Sequence, residues 1–301
     1  MTVFNRPPNR VFHCLHIIGP LLGLFFALLL SGCSTVKLGY NYAPELGYWW
    51  LDSYLDFNDR QSVQARADLA ALQAWHRQTE LPLYINTLQQ LQRLAPSAVT
   101  PAQVCEVSAE LRSRYQAVLD QAEPTFVALA PMLGAEQIDH LARQFDKRHR
   151  KWRTEWLDAS DAERSARRAK KRVDRAEMFY GPLQEPQLAV VRDGAAVTAF
   201  DARLNDQEAV RRQQDTLQTL RQIQTGALTE TQVKAAVHAL LTRATDSPDA
   251  AYRNYIEKIR QENCLTLATL HNSTTPAQRL KVVETLKAYE TDARALMTPR
   301  R

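Results

Sequence analysis

The sequence predicts an all-α fold, an extended multi-helix bundle built from helical hairpins with one long basic helix, and three observations predict it. Apolar residues recur at helical intervals, as at Val63, Leu69, Leu72 and Trp75. Helix-start signals also recur: Thr100, Thr229 and Thr275 each stand three residues ahead of a glutamine, Gln103, Gln232 and Gln278. Such a glutamine can bond back to the cap residue's amide. Finally, no pair of alternating apolar strands is evident, and nine glycines in 301 residues are few for a turn-rich β protein.

The chain opens on Arg6, Arg10 and His13, followed by the uncharged run Ile17–Leu30. A basic lead and so short an apolar run read as a secretory leader; a spanning helix needs about 20 apolar residues. Leu30-Ser31-Gly32-Cys33 closes the run and resembles the lipobox of bacterial lipoproteins. The resemblance implies acylation of Cys33, cleavage before it, and a further acyl chain on the new amino terminus. Ser34, where aspartate would favour the inner membrane, implies an outer-membrane anchor facing the periplasm. The expected organisation is a leader over 1–32, an anchored aromatic segment over 33–58 and a helical body over 59–301. A junction between two helical subdomains is placed near 181–186.

Within the aromatic segment, Tyr40, Tyr42, Tyr48, Trp49, Trp50, Tyr54 and Phe57 lie close together. Gly39, Pro44 and Gly47 argue against one long helix before Tyr48, whereas Trp49–Phe57 could begin one. Two readings apply to the rings: packing over the body as its first core segment, or contact with the membrane interface. A helix over 62–94 follows, interrupted near Leu81 by Pro82. Further helices are expected over 101–121, 124–131, 135–180, 186–225, 230–244, 249–270 and 276–297.

Between Arg143 and Arg175, thirteen lysines and arginines face six acidic residues, so positive charge is segregated into this stretch. On a helical wheel Arg164, Arg167, Arg168, Lys171 and Arg175 share one side, with Ala162, Ala166, Ala169, Val173, Ala176 and Tyr180 opposite. The same pattern fits a solvated face, where Glu163 and Arg167 would pair across one turn, and a surface that binds an anion or a partner. Export removes nucleic acid from the reachable polyanions. It leaves anionic lipid, lipopolysaccharide, peptidoglycan and envelope proteins, besides the membrane reached through the lipid anchor.

Cys105 and Cys264 remain in the exported part, where a disulfide can persist; two buried free thiols are the alternative. No metal or cofactor motif is present, and no catalytic residue is assigned. His76 and Glu80, four apart, are the one local pair that could act together.

Val36–Phe57 with Gln61, the segment Trp75–Tyr84 and the arginine-rich stretch 164–175 are similar to domain-of-unknown-function family 6279, a family of bacterial lipoproteins. That resemblance implies an envelope lipoprotein and carries no catalytic assignment. Val99–Gln103 and Leu228–Gln232 resemble the Leu-Thr-x-x-Gln signature of periplasmic chaperones related to spheroplast protein Y. It implies a helical protein that binds unfolded clients on a basic concave surface. The leading expectation is a non-enzymatic scaffold or binding protein.

Overall fold

In the computed structural model, which describes residues 32–297, all regular structure is helical. The α-helices are α1 (Gly32–Asn41), α2 (Ala43–Leu55), α3 (Asp59–Trp75), α4 (Leu81–Leu94), α5 (Pro101–Leu129), α6 (Ala135–Trp156), α7 (Asp161–Tyr180), α8 (Glu185–Ala196), α9 (Ala202–Gln224), α10 (Glu230–Thr245), α11 (Ala250–Asn272) and α12 (Pro276–Met297). A π segment (His76–Glu80) joins α3 to α4, and a 3-10 turn (Ala130–Met132) follows α5. Among the described residues the chain divides after Tyr42 into two units, with α1 in the first and every other helix in the second. The expected leader, but for Gly32, lies outside the described residues. Cys33 is in the first turn of α1.

Four expected boundaries are corrected, each for a local reason. The helix expected over 135–180 breaks at 157–160, where Ser160 caps α7 and Glu163 returns to the Ser160 amide at 2.8 Å. The helix expected over 186–225 breaks at 197–201, because Asp201 accepts from Arg203 and Leu204 and starts α9 afresh. Conversely, 101–121 and 124–131 are largely one helix, α5, running through Pro124. A proline removes a single donor, and this one lies on an exposed stretch where water can serve the carbonyl it frees. Lastly, α2 begins before the expected Trp49: Pro44 sits in its first turn, where a missing donor costs nothing. Gly47 lies inside α2, its Cα side facing Leu69 at ordinary contact distance.

Pro82 perturbs the chain as expected, one turn earlier. Leu81 N–H reaches the His76 carbonyl, five residues back, and the wide turn carries the helix past the proline.

Among the described residues two larger apolar clusters hold the body together, and a smaller one of Tyr48, Ala65 and Leu129 joins α2, α3 and α5. Ile138, Leu141, Leu220, Ile223, Val233 and Val237 interlock α6, α9 and α10. Tyr180, Leu183, Val191, Leu270, Val282 and Leu286 join α7, α8, α11 and α12. The Cys105–Cys264 disulfide ties α5 to α11, with 5.4 Å between Cα atoms.

Each of the two larger clusters is flanked by a glutamine clasp. Gln61 and Gln137 both accept from their own cap amides at 3.0 Å and exchange amide hydrogen bonds with each other at 3.1 and 2.8 Å. Gln61 also donates to Met132 O, before α6, and Gln137 to Leu55 O and Asp56 O, before α3. Gln187 and Gln278 repeat the arrangement between α8 and α12, at 2.7 and 2.9 Å, with Ser273 O and Pro182 O as the crossed acceptors. Every side-chain polar atom of these four amides is thus used, as the burial of Gln61 and Gln187 requires.

His271 is buried in the second cluster, its Nε2 2.9 Å from Ser97 O and its Nδ1 2.9 Å from the Tyr180 hydroxyl. Nε2 donates to the carbonyl, so Nδ1 accepts from the tyrosine in the neutral ring. Burial holds the His271 pKa below 6.5, against the opposing pull of the Ser97 carbonyl. Burial also lowers His76. The unfolded chain therefore takes up protons near pH 6.5 that the folded chain refuses, and stability falls as pH drops through that value toward the folded pKa. The urea midpoint is expected to be lower at pH 5.0 than at pH 7.5. His271→Gln should flatten this dependence; an unchanged pH slope in that variant counts against the assignment.

Candidate functional site: an aromatic groove beside the basic helix

The residues of the basic helix divide by role. Arg164 turns back to donate to the carbonyls of Trp156 and Leu157, at 2.9 and 3.4 Å, and so finishes the end of α6. Arg168 donates to Ala195 O at 3.0 Å and lies 4.8 Å over the Phe200 ring. Burial lowers its pKa, reinforced by Arg172 and Arg164 nearby. Arg172, which donates to Asn263 Oδ1 at 2.9 Å, is lowered by burial as well. Arg164, Arg168 and Arg172 are therefore an inward stripe, one turn apart.

The expected wheel is corrected here: Ala162 and Ala166 are exposed, while Ala176 and Tyr180 are buried. Glu163 serves the Ser160 cap, which lowers its pKa, in place of an ion pair with Arg167. Arg167, Lys171 and Arg175 are exposed. Lys171 extends over Trp156, its Nζ 5.0 Å from the ring centre. Cation–π and carbonyl contacts thus hold the first half of α7, and the apolar cluster around Ala176 and Tyr180 holds the second.

Lys171 stands at the rim of an open groove of about 650 Å³ between α6, α7, α9 and α11. Phe145, Trp152, Trp156, Phe200 and Tyr252 give it an aromatic lining. Trp152 and Trp156 are one turn apart on α6, with centroids 6.5 Å apart, and Phe200 lies 5.4 Å from Trp156. The polar groups of the wall are mostly committed to one another. Glu208, 5 % exposed, accepts from Arg211, Arg212 and Ser247. Burial works against its ionisation, but these hydrogen bonds prevail and its pKa is lowered. His149 meets Asp206 at 2.6 Å. Arg148, Lys171 and Glu155 also line the groove, and none of them forms an ion pair among the described residues.

Of the other sequence candidates, His76 and Glu80 lie on the π segment, away from the groove. His76 stacks on Tyr84 at 5.7 Å, and Glu80, 2 % exposed, has Arg114 Nη1 at 3.9 Å. The α6 half of the groove is visible in sequence as the spacing Phe145, Trp152, Trp156. Phe200, Glu208, Arg212 and Tyr252 arrive from distant segments, and no local signal marks them.

The sequence model of a family of unknown function, DUF6279, matches residues 53–253, well over half of the chain. The chain belongs to this family. All groove-lining residues, from Phe145 to Tyr252, fall inside the DUF6279 match. Cys33, Cys264 and Trp49–Trp50 fall outside it. No curated protein and no solved structure matches the chain.

Proposed function

We propose that this DUF6279 protein is a lipid-anchored protein of the bacterial envelope, held at the outer membrane through Cys33 and facing the periplasm. It binds or scaffolds an anionic envelope component without catalysing a reaction. The observation that carries the binding role is the groove: Arg148 and Lys171, neither committed to a carboxylate, stand beside an aromatic floor. Arg167 and Arg175, exposed on the same basic helix, extend the positive field. The leader, the lipobox and a disulfide suited to an oxidising compartment support the address. Guanidinium and ammonium groups in this setting suit phosphate or carboxylate.

Replacing Arg148, Arg167, Lys171 and Arg175 with glutamine should reduce retention of anionic envelope material about tenfold at low salt, with a smaller difference at high salt. Equal retention by both proteins at low salt would sink the binding role. For the address, Cys33→Ser should abolish incorporation of labelled palmitate and release the protein from the membrane fraction. Continued labelling of that variant would place the lipid elsewhere and overturn Cys33 as the anchor.

A further inference from the structure

The groove is one end of a longer run of rings. Trp50 and Tyr54 lie 5.1 Å apart on α2, and Tyr54 lies 6.3 Å from Phe145 at the groove's edge. Trp152, Trp156 and Phe200 continue the run along the floor. Its outer end opens on Leu46, Trp49 and Trp50, which are 50, 61 and 56 % exposed. These three positions, spaced three and four apart, share one face of α2. Bulky apolar side chains so exposed and adjacent call for a covering partner. The inner end of the run carries Lys171, over Trp156, and Arg148 stands on α6 between Phe145 and Trp152.

We propose that this track binds an anionic lipid, its acyl chain lying along the rings, its phosphate meeting Lys171 at the inner end and Arg148 adding positive charge along the track. The proposal deepens the reading of the groove as an anion site and rests on it. Three features select a lipid. The ligand's two ends must differ, apolar toward α2 and anionic toward α7, which is the polarity of an amphiphile. The wall offers few directional hydrogen bonds to a peptide, since Glu208 and His149 are already engaged by the protein and Arg212 spends its Nε on Glu208. The volume of about 650 Å³ falls within the roughly 300–1,000 Å³ of small-molecule pockets. Glu155, also on the lining, opposes an anion there and limits how much negative charge the site accepts.

The test titrates the full, disulfide-intact chain with lysophosphatidylglycerol carrying a brominated acyl chain, below its micelle-forming concentration. Bromine quenches indole emission on contact, and equilibrium dialysis measures binding independently. Saturable quenching is expected. Lysophosphatidylcholine with the same chain should bind about tenfold more weakly, and glycerol 3-phosphate, which lacks the chain, negligibly. Arg148→Gln with Lys171→Gln should weaken binding about tenfold, whereas Glu155→Gln should tighten it. These opposite signs keep the test decisive even if the double variant folds poorly. Trp49→Phe, Trp50→Phe, Trp152→Phe and Trp156→Phe together should keep binding by dialysis and lose most of the quenching. Glycerol 3-phosphate binding as tightly as the lysolipid would overturn the lipid assignment and leave the anion site standing. Polyglutamate binding in place of the lysolipid would overturn it in favour of an acidic protein partner. Failure of lysophosphatidylglycerol, glycerol 3-phosphate and polyglutamate alike would overturn both readings.

Discussion

Replacing Cys105 and Cys264 with serine is expected to lower the unfolding free energy by about 5 kcal/mol, the largest effect of any change suggested by this fold. The two residues are 159 apart in sequence, so the bond closes a loop spanning more than half of the chain. In the chain-entropy account, cross-linking a loop of that length costs the unfolded ensemble about 5 kcal/mol at 25 °C. Serine at position 264 adds a hydroxyl to a site only 5 % exposed, and this works in the same direction. Urea unfolding followed by circular dichroism should show the lower midpoint. Reductant should reproduce it in the unaltered protein and leave the double variant unmoved. A shift below about 1 kcal/mol would mean that the bond constrains little that packing does not already constrain.

The second large effect is expected at a clasp. Gln187→Ala should cost roughly 2–4 kcal/mol, because it removes a buried side chain and strands its partners together. The Gln184 amide, the Ser273 carbonyl and the amide of Gln278 would each lose a hydrogen bond. Gln187→Glu sharpens the test. It keeps the shape but turns an oxygen toward Ser273 O and Gln278 Oε1, so it should destabilise at neutral pH and recover in part as the carboxylate protonates. Alanine at both Gln187 and Gln278 should cost less than the sum of the single changes, since each has already broken the shared pair. Strict additivity, or a single change within 0.5 kcal/mol of the parent, would show the clasp to be decorative.

The clasps mark where the sequence could be read and where it could not. Thr275–Gln278 is visible as a capping box, and Gly134–Gln137 as a fainter one, because a cap and its third residue are local in the chain. That the same amides also reach 76 and 91 residues away is a tertiary fact with no local trace. The breaks at Ser160 and Asp201 were legible in principle as cap residues, but apolar and alanine-rich flanks on both sides masked them. The groove divides in the same manner. Trp152 and Trp156 advertise a shared face by their spacing, whereas Phe200 and Tyr252 join them only through the packing of α9 and α11. The basic helix misled for a related reason: a wheel sorts residues by polarity, and long arginines can bury their stems over rings while keeping their charge bonded. Arg168 over Phe200 does so.

The π segment has a consequence for how one rod can serve two sides of the protein. Each residue of an α-helix turns it by about 100°, and one additional residue within a turn offsets everything beyond by about that angle. Before the offset, α3 addresses α2 and α5; after it, α4 addresses α12. The rod behaves as a crankshaft whose two throws point in different directions. Deleting a single residue between Trp75 and Leu81 would restore uniform winding and swing α4's apolar stripe away from its bearing on α12.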